Sequence, residues 1–432
     1  TEHFWQVRSL ARAGTIADPQ FVLLLSVLGE NEYVASIARM GDEIYFTSAA
    51  LAGTSITEKP TLYRYDSTRP DAQPEPVHLR QELVDAPTDL RRLDAVQKAF
   101  PFRDALLLEA EGSGGDRPVY LYDGTRAVFA FFMPGGIRAV QPFGGRLYLL
   151  AGASTKIYVY DGITLSVARE QLTFPGIADG QDRMEVSRSD SGTSGEVIGS
   201  PTAFAAHNGK LFISFIVGGE TWLVRNGKSV GRMENFSGIA TYDGASWDVP
   251  ASYNWSGRRP RFIEPNSGRG IGIAGLASVG GTLYAGGRGY VLDVSTGFQP
   301  VEKAMLFAEQ SGTFISADDP AFDTQGLAIR KLTAFGNILL VAMAQGGGNA
   351  LYVYEPAESR LNSLMGNIGP EILFAIKDGS LFIPIADWNG ASAALARFDL
   401  FALSDWSDTA SFTTPRTCAR GLFRIFDFFR EI

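Results

Sequence analysis

Apolar and polar residues alternate along this chain in short runs broken by Gly, Asn and Asp, the pattern of half-buried strands joined by tight turns. One arrangement recurs. In IRAVQPFGGRLYLLA (137–151) an apolar stretch leads into a Gly-Gly turn and a second apolar strand. The same arrangement stands at VASIARMGDEIYFTS from Val34, VQKAFPFRDALLLEA from Val96, PTAFAAHNGKLFISF from Pro201, IAGLASVGGTLYAGG from Ile273, IRKLTAFGNILLVAM from Ile329 and EILFAIKDGSLFIPI from Glu371. The residue just after each turn marks the register: Ile44, Leu106, Leu147, Leu211, Leu283, Leu339 and Leu381, with separations of 41 to 72 residues.

A second hairpin follows each of these. TLYRYDS (61–67), VYLYDGTRAV (119–128), IYVYDGITLSV (157–167), IATYDGASWDV (239–249), YVLDVSTGFQPV (290–301), LYVYEPAESRL (351–361) and LARFDLFALSDW (395–406) each read as strand, turn, strand. Asp suits such a turn because its carboxylate bonds the backbone two residues on. Two hairpins per unit and seven units predict an all-β chain, a seven-bladed β-propeller of four-stranded antiparallel blades. Six or eight blades stay open, as does another all-β fold; an array of sandwiches would need linkers that the chain does not show. The propeller is expected over 31–410, with 1–30 as a ring-closing segment or anchor. Residues 411–432 include RGLFRIFDFFREI, an apolar tail expected to pack on the propeller or on a neighbour.

The length over the shortest repeat is uneven. Segments 67–93, 170–200, 250–271 and 303–328 hold nearly all of it, and three of them join a fourth strand to the next first strand. Such links emerge on one face of a propeller, so long loops on that face are expected to meet a ligand or partner. The loop PASYNWSGRRPRFIEPNSGRGI places Tyr253 and Trp255 beside Arg258, Arg259 and Arg261, with Trp247 just upstream. Flat aromatics and planar guanidinium groups are enriched at binding hot spots, so these six are the candidate binding residues. The bland alternative is that the aromatics pin the loop while the arginines stay solvated. Segment 170–200, with Asp179, Asp182, Glu185 and Asp190, reads as a solvated flexible loop without a calcium-binding pattern.

Composition narrows the field. Gly makes up 48 of 432 residues, about 11% against a usual 7%, which fits a chain of turns. Hydrophobic residues at 45% and charged ones at 20% exclude wholesale disorder. A single Cys excludes a disulfide scaffold and a Cys-rich zinc site; neither metal nor cofactor is expected. The net charge of −9 disfavours a surface that grips nucleic acid. The run FVLLLSVL at 21–28 is too short for a membrane span, which takes about 20 residues. It lacks a signal-peptide context, and Thr1 suits removal of an initiator Met, so synthesis in a reducing cytoplasm is expected.

Catalytic signatures are weak. No GxSxG or HExxH pattern occurs, and Gly270 to Gly275 match GxGxxG only where another hairpin, not a helix, is due. His207 aligns with Phe143 and Phe335 before a turn and is expected to fill a structural slot. No catalytic residue is assigned. A hydrolase or lyase assembled from several blades stays open, as does a carbohydrate-binding propeller stacking sugars on Trp247, Tyr253 and Trp255.

The FGGRLYLLAG and Tyr-Asp-Gly units resemble those of bacteriophage tail β-propeller proteins of the nozzle, hub or tail-tip type. They lack the signatures of kelch and WD40 repeats. The resemblance implies a non-enzymatic structural or binding propeller within a larger assembly. Its partners would be other subunits, copies of itself in a homo-oligomer, or a host receptor or glycan. Its place would be a virion assembled in the host cytoplasm, the alternative being a cytoplasmic hub.

Overall fold

The computed structural model describes residues 21–24, 32–50, 62–66, 68–69, 74–79, 96–111, 115–173, 177–179, 182–187, 197–225, 228–249, 254–256, 272–293, 299–311, 313–317, 328–345, 348–365, 375–377, 380–386 and 393–399. They fall into two compact units: Thr1–Phe132 with Gly348–Ala350 and Asn362–Ile432, and Met133–Gly347 with Leu351–Leu361.

The first unit opens with β1 (Phe21–Leu24). Next comes a sheet of β2 (Glu32–Met40), β3 (Glu43–Ala50), β4 (Leu62–Asp66) and β5 (Glu75–Pro76), then one of β6 (Val96–Phe102), β7 (Ala105–Ala110), β8 (Asp116–Tyr122) and β9 (Ala127–Pro134), each paired in chain order. The second unit repeats the plan in β10 (Ile137–Phe143), β11 (Arg146–Ala151), β12 (Ile157–Tyr160) and β13 (Leu165–Arg169). A seven-stranded sheet follows: β14 (Leu172–Thr173), β15 (Ile177–Asp179), β16 (Asp182–Ser187), β17 (Ile198–His207), β18 (Lys210–Arg225), β19 (Lys228–Tyr242) and β20 (Trp247–Asp248). A five-stranded sheet holds β21 (Asn254–Ser256), β22 (Gly272–Val279), β23 (Thr282–Asp293), β24 (Gln299–Gln310) and β25 (Thr313–Ser316). The next four-stranded sheet is β26 (Ala328–Phe335), β27 (Ile338–Gln345), β28 (Gly348–Glu355) and β29 (Arg360–Met365). In the first unit again, β30 (Ala375–Lys377), β31 (Ser380–Ala386) and β32 (Ala393–Asp399) form a sheet with β1. The fold is an all-β propeller of mostly four-stranded antiparallel blades.

Second strands explain why the alternation lapses in places. β7 (ALLLEA) and β11 (RLYLLA) are buried on both faces, all but their first residue. A strand packed between two layers reads as a continuous apolar run. The register marks Ile44, Leu106, Leu147, Leu211, Leu283, Leu339 and Leu381 are all fully buried. Within each unit the cores lie between successive sheets. Tyr45 and Ala38 pack against Leu106 and Leu108 in the first unit, and Tyr284 and Leu306 against Leu339 and Val341 in the second.

First and second strands meet through two-residue turns that require positive φ, as in primed hairpin turns. Gly144 and Gly145 adopt φ of 57° and 74°, and Asn208 and Gly209 adopt 46° and 71°. Two other glycines serve a close approach. A Cβ on Gly199 or Gly238 would stand 2.1 or 2.2 Å from the ring of Phe215, which fills the space between them.

Six first strands share a device that the sequence pattern does not announce. Each carries a register shift near its start, at Val34/Ser36, Val96/Lys98, Ile137/Ala139, Pro201/Ala203, Ile273/Gly275 and Ile329/Lys331. A bulge takes backbone groups out of the ladder, and at two of the six, those of β6 and β22, hydroxyls of the preceding sheet bond backbone groups at or beside it. Thr47 Oγ1 donates to Gln97 O (2.7 Å), and Ser36 Oγ, bonded to Thr47 Oγ1, accepts from Ala99 N (2.8 Å). In the second unit Thr202 Oγ1 donates to Ile273 O (2.8 Å) and Ser237 Oγ accepts from Ile273 N (2.7 Å).

Three expectations change. YVLDVSTGFQPV, expected as the second hairpin of its unit, instead holds the end of β23 and the start of β24, the second and third strands, so that much of 303–328, expected as a connection, is strand. Segment 170–200 is not only loop, because β15 and β16 form a hairpin within it, and β16 pairs with the far half of β18. And the place beside β32, expected for 400–406, is taken by β1 in the register Phe21↔Phe398 to Leu24↔Leu395.

Thr47 is fully buried, so Thr47→Val keeps the shape and removes the hydroxyl. The expected result is a loss of about 1–3 kcal/mol in unfolding free energy, the cost of leaving buried polar groups unmet. Equilibrium denaturation measures it, and an unchanged midpoint would refute the role given to this hydroxyl.

Candidate functional site

The described residues single out one end of two sheets in the second unit. β11 and β12 pair over only four residues, Leu147 to Leu150, whereas β18 and β19 stay paired from Leu211↔Tyr242 out to Arg225↔Lys228. Past Val217, where the neighbouring β17 has ended, this ribbon runs on for roughly 25 Å at strand rise. β23 and β24 do the same on a smaller scale. Their pairing continues from Arg288, the last partner of β22, to Asp293↔Gln299, roughly 15 Å further. Both ribbons leave their sheets at the end opposite the two-residue turns.

A bare two-stranded ribbon is marginally stable in water. β16 adds a third strand to the larger one through Glu185↔Val224, Val186↔Leu223 and Ser187↔Trp222, and β15 a fourth. The inserted segment is therefore a brace for the projection. Such a platform can present a strand edge and side chains to a macromolecule.

The predicted binding residues divide. Trp247 sits on the outer strand of its sheet at the short-turn end, opposite Tyr242 in the register. It stacks on Tyr242 with centroids 4.7 Å apart and planes at 26°. Phe143 and Tyr148 complete the cluster. Burial and the Tyr242 hydroxyl push the Tyr148 phenol up to about 12. Trp255 lies in β21, which adds to the outer edge of the five-stranded sheet in parallel to β25 at the register Trp255↔Phe314. Tyr253, Arg258, Arg259 and Arg261 lie outside the described residues.

His207 fills a slot at a sheet interface. With Asn208 Nδ2 donating to Nε2 (2.9 Å), the imidazole proton sits on Nδ1 and is donated to Ser278 Oγ (2.9 Å). The ring rests edge-on against Phe212, and burial lowers its pKa despite an opposing contribution from Glu309. Gly272–Val279 is a strand leading into another strand, so the GxGxxG match offers no helix N-terminus to a phosphate.

The short-turn ends are built alike. Tyr122, Tyr160 and Tyr242 donate to the carbonyls of Gly124, Gly162 and Gly244 at 2.7, 2.9 and 2.7 Å. Asp123, Asp161 and Asp243 each accept two backbone N–H groups of their own turn. The aspartates are therefore turn locks. Nearby, Tyr45 donates to Glu43 (2.5 Å), which pairs with Arg64 at 3.4 Å, and burial with that carboxylate raises the Tyr45 pKa. Among the described residues no group of three His, Cys, Asp or Glu could hold a metal ion, and no helix is long and apolar enough to cross a membrane.

No family model and no curated protein matches the chain. Solved structures similar to it include the β-propeller domain of the Trilobed protease from Pyrococcus furiosus, at 8% identity and TM-score 0.46, covering 85% of this chain and 95% of that one. The N-terminal domain of Nup159 is similar at 10% identity and TM-score 0.36, covering 88% and 95%. The polysaccharide lyase Uly1 is similar at 15% identity and TM-score 0.37, covering 91% and 94%.

The turn locks and His207 define an acid sensitivity. Backbone and side-chain hydrogen bonds from Ser246 and Ala245 hold Asp243 down at about 2, and bonds from Thr68 and Arg69 hold Asp66 there too. A depressed carboxylate contributes stability above its unfolded value near 4 and loses it as pH falls towards 2. His207, also lowered, contributes above its unfolded value near 6.5 and loses it on acidification. Unfolding midpoints are expected to fall from pH 7 to 2, and Asp243→Ala to flatten the slope between pH 4 and 2. A slope identical to wild type in that variant would refute the lock.

Proposed function

We propose that this chain is a non-enzymatic binding propeller that holds a macromolecular partner inside a larger assembly, using the elongated end of the sheets at 172–248 and 272–316. The observation behind it is the braced ribbon β18–β19, an extension of roughly 25 Å with two added strands of its own. Residues spent on a projection add nothing to the packing between sheets. In this reading the seven sheets are seven blades of one ring, with the long connections on one face.

The setting we favour is a phage virion, as a tail nozzle, hub or host-facing tip, with other tail subunits or further copies of the chain as partners. It is supported by the FGGRLYLLAG and Tyr-Asp-Gly units and suits the net charge of −9, which repels passing DNA. Sugar stacking has less support, since Tyr242 already covers one face of Trp247.

The test replaces 218–235 with Asn-Gly, which closes the ribbon at the Val217↔Phe236 pair. In its natural source the unaltered chain is expected to sediment with a large particle and to be visible there by electron microscopy. The shortened chain should be released while its unfolding midpoint stays the same. A chain that sediments as a free monomer in both forms would overturn the reading.

A further inference from the structure

The projecting ribbon β18–β19 has two edges, and the fold meets one of them. Past Val217 the edge of β18 that β17 has left takes β16, from Ser187↔Trp222 to Glu185↔Val224. On the other side, the edge of β19 from Lys228 to Phe236 has no strand beside it among the described residues, since β20 pairs with β19 only at Thr241 and Tyr242. An open edge is a template for another strand, and charges along it decide which strand is admitted. The residues there read KSVGRMENF.

We propose that this edge pairs with the same edge of a second copy of the chain, antiparallel about a two-fold axis at Met233. The proposal rests on the reading of the ribbon as the partner-bearing part, and it names that partner. Backbone groups point outward from an edge only at alternate residues, so the axis must fall beside a residue. With the axis at Met233, Arg232 stands opposite Glu234 of the partner subunit, and symmetry repeats the pair. One step either way, with the axis at Arg232 or at Glu234, like charges stand directly opposite, which is destabilising. An axis at Gly231 opposes Glu234 to Lys228, but it carries the pairing across Val230, the extra residue left by the shift at Leu223/Val224, and a bulge disrupts a ladder. Within the chain the register sets Glu234 across from Glu220, a like-charged pair that an arginine arriving on the open side offsets. The smaller ribbon has no such register. Arg288 and Asp293 on β23, and Glu302 and Lys303 on β24, stand an odd number of residues apart, so no two-fold axis opposes them. Paired at Met233, the two platforms become one sheet, with β15, β16, β18 and β19 from each copy.

Sedimentation velocity of the purified full chain is the test. The unaltered chain is expected as a dimer. Arg232→Glu and Glu234→Arg should each lose the dimer, because each sets like charges across the axis, while an equimolar mixture of the two should regain it with one of each variant. Unfolding midpoints check that both variants fold. A monomeric unaltered chain, single variants that stay dimeric, or a mixture that stays monomeric would overturn the proposal. Should a charge variant fail to fold, Met233→Cys decides, with the lone native cysteine removed as Cys418→Ser. Opposed residues of an antiparallel pair have Cα atoms about 4.5–5.5 Å apart, within reach of a disulfide. Mild oxidation should therefore link two copies through position 233, and Asn235→Cys in the same background should stay unlinked. Equal linking in both, or none in either, would refute the register. A chain that fails these tests yet sediments with its particle keeps the ribbon's role and gives it another occupant. A dimer that passes them and joins no particle upholds the pairing and overturns the role in a larger assembly.

Discussion

A β-bulge near the start of the first strand sets the terms on which neighbouring sheets meet. It turns a backbone carbonyl or N–H out of the ladder and into a buried interface, where an unmet polar group costs about 1–3 kcal/mol. At the bulges of β6 and β22 the hydroxyl that answers comes from the sheet before. Thr47 and Ser36 answer Gln97 and Ala99 in one unit, Thr202 and Ser237 answer Ile273 in the other. Because each bond fixes a first strand against its predecessor, the sheets are indexed to one another and not merely pressed together. Apolar contact alone would let two faces slide.

The strands, turns and register were legible in the residues because they rest on local chemistry. Gly-Gly and Asn-Gly announce primed turns, and Tyr-Asp-Gly announces a corner in which the carboxylate takes two N–H groups. The bulges were hidden, since one extra residue in an apolar strand leaves the alternation nearly intact. One trace of them was readable. Thr47 and Ser214 both stand three places after their register marks, inside runs that are otherwise apolar, and the buried Glu109 stands at the same place in its own sheet. Thr47 bonds the next sheet's backbone itself, and Ser214 bonds Thr202, which does so in its stead.

The candidate site was less legible because it depends on pairing between distant segments. The 170–200 insertion has the Ser, Gly and Asp of a solvated loop, yet β16 finds a partner in the far half of β18, which its own composition does not disclose. The excess length drew attention to 170–200, whose strands brace the projection, but not to the stretches past Val217 and past Arg288 where the two ribbons run. Trp247 belongs to a stacked cluster at the short-turn end of its sheet. Flat side chains with polar edges serve packing and recognition equally well, and composition does not separate the two.

The joining of the chain's two ends shows how much the described fold rests on non-local terms. β1 and β32 pair across roughly 380 residues of sequence, and closing a loop of that length costs about 5 kcal/mol of chain entropy. Four register pairs at about 0.5–1.5 kcal/mol per hydrogen bond return about 2–6 kcal/mol. Pairing alone therefore breaks even. The join becomes favourable only once the sheets between the ends are packed and the loop to be closed is already short in space. Long-range pairing of this kind is slow to form and exposes strand edges while it does.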